Sequence, residues 1–193
     1  TPWSHVAADD PEFVVFLGDY IYEGGISSGR PRQHNSAEVT TLAAYRKRYG
    51  LYKLDPRLQA AHAAAPWILT WDDHEVANNY AGVTPQDTAD QATFAARRVA
   101  AYQAYWEHQP LRSGPVNNGQ NLNLYRSLTW GTLLDLHVLD GRQYRSDQAC
   151  SNDVATNCTD RFLPGRTMLG RTQRSWLDTK LSADRARWAV LAN

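Results

Sequence analysis

The chain has 193 residues, 42% of them hydrophobic, enough for one domain with a core of its own. Its 20 basic residues balance 20 acidic ones, so nothing in the charge suggests a general nucleic-acid or anionic-membrane partner. No apolar run reaches the roughly 20 residues that span a bilayer, and the opening Thr1-Pro2-Trp3 lacks the basic-then-apolar pattern of a signal peptide.

In chain order, residues 11–17 read as a buried strand. They run into Leu17-Gly18-Asp19-Tyr20-Ile21-Tyr22-Glu23. Residues 36–49 have a helical pattern, with Ser36 as N-cap, Val39, Leu42, Ala43 and Tyr49 on one face, and Gly50 as the stop. Asp55-Pro56 opens a short alanine-rich helix that must end before Pro66, because a residue preceding proline avoids the α region. Residues 66–71 form a second strand, followed by Thr70-Trp71-Asp72-Asp73-His74-Glu75-Val76-Ala77-Asn78-Asn79.

A longer helix is expected over 88–108, with Phe94, Arg98, Tyr102, Tyr105 and Trp106 on one side as core packing. Turn signals at 113–115 and 117–119 precede two strands, 122–128 and 132–139, the second alternating through Leu134, Leu136 and Val138. A helix over 171–181 buries Trp176, Leu177 and Leu181, and residues 188–192 make a last strand. Strands alternating with helices predict an α/β layered domain. Because Asn193 follows directly on an apolar strand pattern, the chain is expected to be a piece of a larger unit.

The two cysteines, Cys150 and Cys158, lie in a polar, irregular stretch. They read as a disulfide stapling that loop, and hence as the mark of an oxidising, secreted or cell-envelope location. No histidine lies near them to make a zinc site.

The chemistry is concentrated where the first two strands end. Asp19 and Tyr22 follow one strand, with Gly18 permitting a tight reversal. A carboxylate bridges hard cations and a phenolate suits ferric iron, although Asp19 as a cap and Tyr22 as packing is the alternative. Asp72-Asp73-His74-Glu75 follows the other strand, and four consecutive ionisable groups there are costly to desolvate unless paired or metal-bound. Gly25-Ile26-Ser27-Ser28-Gly29 fits G-x-S-x-G, but a nucleophile elbow must join a strand directly to a helix, which this context does not offer.

These motifs resemble the PhoD-type alkaline phosphatases of the calcineurin-like metallophosphoesterases. The resemblance runs through LGDYIYE, TWDDHEVANNYAG, Leu139-Asp140-Gly141-Arg142-Gln143-Tyr144-Arg145 and Thr167-Met168-Leu169-Gly170-Arg171-Thr172-Gln173, in that order over essentially the whole chain. It implies a layered metallophosphoesterase-like sandwich, β-sheets flanked by helices, with residues 1–193 part of a single PhoD-like domain that is incomplete at both ends. It implies hydrolysis of phosphoric esters by a metal-bound water or hydroxide at a centre of Fe3+ and Ca2+. Asp19 would bridge the metals, Tyr22 would bind the ferric ion and Asp73 would take a metal-binding position. His74 would sit beside the phosphate, with Asp72 and Asn79 as further candidates for metal or phosphate. Arg142 would contact phosphate or else pair with Asp140 or a neighbour. The family's upstream Cys and downstream His ligands have no counterpart here. The alternative is therefore a non-catalytic metal- or phosphate-binding module, or an inactive piece of the phosphatase.

Overall fold

A computed structural model describes residues 2–30, 32–150 and 156–193. Among them are five α-helices and seven strands: α1 (Pro2–Ala8), β1 (Val14–Phe16), α2 (Leu42–Lys53), α3 (Pro56–Ala64), β2 (Trp67–Leu69), α4 (Gln91–His108), β3 (Pro115–Val116), β4 (Asn121–Leu122), β5 (Arg126–Trp130), β6 (Leu134–Val138), α5 (Gly170–Ala183) and β7 (Trp188–Ala192). The mixed α/β composition agrees with the alternation of patterns in the sequence.

β1 and β2 pair in parallel, Val14 opposite Trp67 and Phe16 opposite Leu69. Successive side chains of a strand point to opposite faces, and here the two faces serve two clusters. Val14, Phe16, Trp67 and Leu69 join the large core built by α2, α3 and α4. Val15 and Ile68 pack instead against Leu134, Leu136, Val138 and Ala192 of the three-stranded sheet β5-β6-β7. In that sheet β5 and β6 are antiparallel, while β7 runs parallel to β6.

Two elements differ from the sequence reading. The second helix begins at Leu42 with Thr41 as its cap and runs through Gly50 to Lys53. Residues 36–39 are held outside any helix by long-range bonds. Val39 N donates to Glu23 O at 3.0 Å, and the buried Arg48 donates to Ser36 Oγ at 3.0 Å and Ala37 O at 3.3 Å. Gly50 costs a helix about 1 kcal/mol, which does not stop one anchored by Tyr45, Arg48 and Tyr49. The expected strand over 122–128 divides into β4, paired with β3, and β5, which reaches Trp130.

Smaller differences follow from packing. α1 went unanticipated; its Trp3 ring lies 6.0 Å from Phe16 and 5.9 Å from Trp67. In α4, Phe94, Arg98, Tyr102 and Tyr105 are buried but Trp106 is partly exposed. In α5, Leu177 and Gln173 are buried while Leu181 is exposed. The Cys150–Cys158 disulfide is formed, and Ser27 is exposed and lies in neither strand nor helix.

Candidate metal centre

Parallel pairing of β1 with β2 sets the carboxyl ends of both strands side by side, the place where open α/β sheets bind ligands. Thr70 N continues the ladder to Phe16 O at 3.0 Å. Beyond it the two loops touch. A Cβ on Gly18 would stand 2.2 Å from Asp72 N, and Gly18 has φ +108°. Only glycine fits that approach. Asp19, next in the chain, is itself left-handed at φ +54°, a conformation that costs energy and that aspartate tolerates better than most residues.

The loops are then tied by Glu75, which is fully buried. One carboxylate oxygen accepts from Tyr20 N and the other from Asp72 N at 2.9 Å. A single carboxylate thus fixes the residues beside Asp19 and Asp73. Burial pushes the Glu75 carboxyl up to about 7, against the pull of those two N–H donors.

The result is a cluster in which Asp19, Asp73 and His74 each offer a ligand atom, all within 4.8 Å of one another. Asp73 is buried, and its Oδ2 accepts from Asn79 N at 2.6 Å. Tyr22 donates its hydroxyl to Asp19 Oδ2 at 2.9 Å. Burial and that bond to Asp19 push the Tyr22 phenol up to about 12. Asp19 Oδ1 is buried and has no hydrogen-bond partner among the described residues. A buried carboxylate oxygen without a donor is costly, and burial accordingly raises the Asp19 carboxyl above its ordinary range. The residues present therefore fit a cation: hard oxygen donors converge beside an imidazole, and one donor lacks a partner that a cation would supply.

His74 has its own support. Nδ1 lies 2.7 Å from Glu23 Oε2, and the other oxygen of Glu23 accepts from Asn78 N at 2.6 Å. Burial disfavours the charged ring, but the bond and charge of Glu23 outweigh it and hold the His74 pKa at about 9. The Tyr22 ring packs over the imidazole with centroids 4.3 Å apart.

Arg142 enters from the other side. It is buried, and it donates from Nε to Asp72 Oδ1 at 2.5 Å, from Nη2 to Asp73 Oδ1 at 3.1 Å and from Nη1 to Tyr80 O at 3.3 Å. Asp140 does not pair with its guanidinium. That carboxylate instead shapes the turn, accepting from Arg142 N and Gln143 N, each at 2.9 Å, and from Trp71 Nε1 at 3.0 Å. Of the residues singled out in the sequence, Asp19, Asp73 and His74 come together, with Tyr22 on Asp19 and with Asp72 and Arg142 bonded alongside. The Asn79 side chain turns toward Gln148, 3.4 Å away, and only its backbone reaches Asp73. From the sequence, Glu23 has no role of its own, Glu75 is only one of four ionisable groups in a row, and Asp140 is only an alternative partner for Arg142. The burial of carboxylates inside a motif is a signal only once their partners are known.

The PhoD-like phosphatase family profile matches residues 1–193. The chain belongs to that family. It is 47% identical to alkaline phosphatase D of Bacillus subtilis (strain 168) over 197 residues, an alignment that covers 100% of this chain and 34% of that protein. The solved structure described as "Structure of PhoD" superposes with a TM-score of 0.90 at 46% identity, over 98% of this chain and 37% of the other. This PhoD-like chain thus spans about a third of the length of the curated relative it matches.

Proposed function

We propose that the protein hydrolyses phosphoric esters in the manner the name of its relative, alkaline phosphatase D, describes. The observation that carries this is the convergence of Asp19, Asp73 and His74 around a buried carboxylate oxygen that lacks a donor. In this reading residues 1–193 are part of a single layered metallophosphoesterase sandwich, helices and sheets on either side of β1–β2. The disulfide and the relative support an extracytoplasmic location.

Asp19, Asp73 and Tyr22 would hold the metal, with Asp72 at the rim and Asn79 steadying Asp73 through its backbone N–H. Carboxylates accept calcium and a phenolate favours ferric iron, so a centre of Fe3+ and Ca2+ suits these donors. When bound, such cations draw charge from phosphoryl oxygens and make water a better nucleophile. The protein's own groups do the rest. Glu23 fixes the His74 ring through Nδ1, so that Nε2, for which the described residues provide no hydrogen-bond partner, can give a proton to the departing alkoxide. A pKa of about 9 keeps that proton in place at neutral pH. Arg142 has five N–H donors. Three hold Asp72, Asp73 and Tyr80 in position, and the others would meet a phosphoryl oxygen.

The test is Asp19→Asn in the protein at its natural length. Elemental analysis by mass spectrometry and release of p-nitrophenol from p-nitrophenyl phosphate are both expected to fall to background. Wild-type turnover from that variant would end the proposal.

A further inference from the structure

A cavity lined by arginines, next to the candidate metal centre, has no part in the mechanism above. Arg145, Arg161 and Arg166 line an open cavity of about 520 Å³ together with Ser146, Asp147 and Gln148. Its walls are tied to each other, since Ser146 N donates to Thr167 O at 2.8 Å and Thr167 N to Ser146 Oγ at 3.0 Å. Arg166 donates to the backbone oxygen of Asp147, and the carboxylate of Asp147 accepts from Gln148 N at 2.8 Å. Among the described residues, none of the three guanidinium groups has a carboxylate within salt-bridge distance. Among the described residues, three cations thus line the cavity with one carboxylate, that of Asp147. Guanidinium groups suit phosphate oxygens better than any other side chain.

The cavity adjoins the candidate centre through bonded neighbours. Asp73 accepts from Asn79 N, and Gln148 Nε2 lies 3.4 Å from Asn79 Oδ1. Burial and the nearby Arg142 lower the Arg145 pKa, against the charges of Asp72, Asp73 and Asp147. The Cys150–Cys158 disulfide closes the loop that separates Gln148 from Arg161 and so limits how far the two sides of the cavity can part.

We infer that this cavity binds a second phosphate of the substrate, carried on the leaving group, while the first lies at Asp19, Asp73 and His74. The preferred substrates are then esters that carry a second phosphate on the leaving group rather than simple monophosphates. This inference rests on the phosphoesterase reading for its substrate but not for its binding.

Two measurements on the metal-loaded protein at its natural length separate them. Titration calorimetry compares propane-1,3-bisphosphonate with propylphosphonate, and phosphate release compares butane-1,4-diol bisphosphate with the monophosphate. The wild type is expected to favour the two-phosphate member of each pair by about tenfold, the scale of one charge-assisted hydrogen bond. The double variant Arg161→Gln, Arg166→Gln should lose that preference, while Arg171→Gln, outside the cavity, should keep it. Equal binding of both phosphonates by the wild type, or an undiminished preference in the double variant, overturns the subsite. An arginine-dependent preference in binding without phosphate release from either ester would keep the subsite and overturn the phosphatase reading.

Discussion

Gly18→Ala is the substitution to which the site should be most sensitive for its size. The added methyl would lie 2.2 Å from Asp72 N and 2.6 Å from Trp71 C, both backbone atoms that no rotamer change can move. Non-bonded carbon contacts begin near about 3.5 Å, so the β1 and β2 loops must part by roughly 1 Å. Alanine must also adopt φ +108° or relax away from it. Backbone strain of this kind costs about 1–3 kcal/mol, and overpacking about 1–3 kcal/mol more. A loss of roughly 2–6 kcal/mol follows, measured as the unfolding free energy from urea titration. The parting would also stretch the Glu75 bridge between Tyr20 N and Asp72 N. Asp19 would move away from Asp73, and bound metal should drop severalfold in elemental analysis. A destabilisation below about 1 kcal/mol with wild-type metal content would show that the loops do not rely on this contact.

Two further outcomes follow from buried groups. Glu75→Gln keeps the shape but offers an N–H where a backbone N–H already points. It should destabilise by about 1–3 kcal/mol, with hydrogen exchange at Tyr20 and Asp72 amides accelerating first; unchanged protection there would remove Glu75 from its bridging role. His62 stacks on Trp67 with centroids 3.9 Å apart, and its Nε2 lies 2.8 Å from the Tyr20 hydroxyl. Burial, with the charge of Lys53, lowers its pKa from 6.5 to about 4. The folded state therefore binds fewer protons than the unfolded state between those values, so the stabilisation present above about pH 6.5 is lost as pH falls toward 4. The full shift, discounted for a half-buried ring, amounts to about 1–2 kcal/mol. His62→Phe should flatten that part of the pH–stability profile, and a profile identical to wild type would refute the assignment.

Much of the site was legible because its strongest signals are local. An apolar run that breaks into Asp19 or into Asp72-Asp73-His74-Glu75 states both where a strand ends and what its end carries. The caps of the short helix were equally local, with Asp55 accepting from Arg57 N at 2.9 Å and Pro56 opening the helix. The start of α2 was not. Ser36 looks like a cap, but Arg48 takes its hydroxyl and also binds Gly24 O at 2.8 Å, pulling residues 36–37 against the first motif loop. Arg142 shows the same limit. Its motif marked it as important, and its bonds run to Asp72 and Asp73, 70 and 69 residues away, rather than to the Asp140 side chain nearby.

The sequence by itself determined which carboxylates, histidine and arginine stand at strand ends, because that follows from a run of apolar side chains and the residue after it. Only the tertiary structure decided how they are partnered. Glu23 supports His74 across 51 residues, and Glu75 bridges back to Tyr20 across 55. Those pairings exist because β1 and β2 align in one parallel register and because Gly18 lets their loops meet at Asp72. A carboxylate in a sequence carries no mark of its distant partner. The register that selects it is set by packing on both faces of β1 and β2, against the helical core on one side and β6 and β7 on the other.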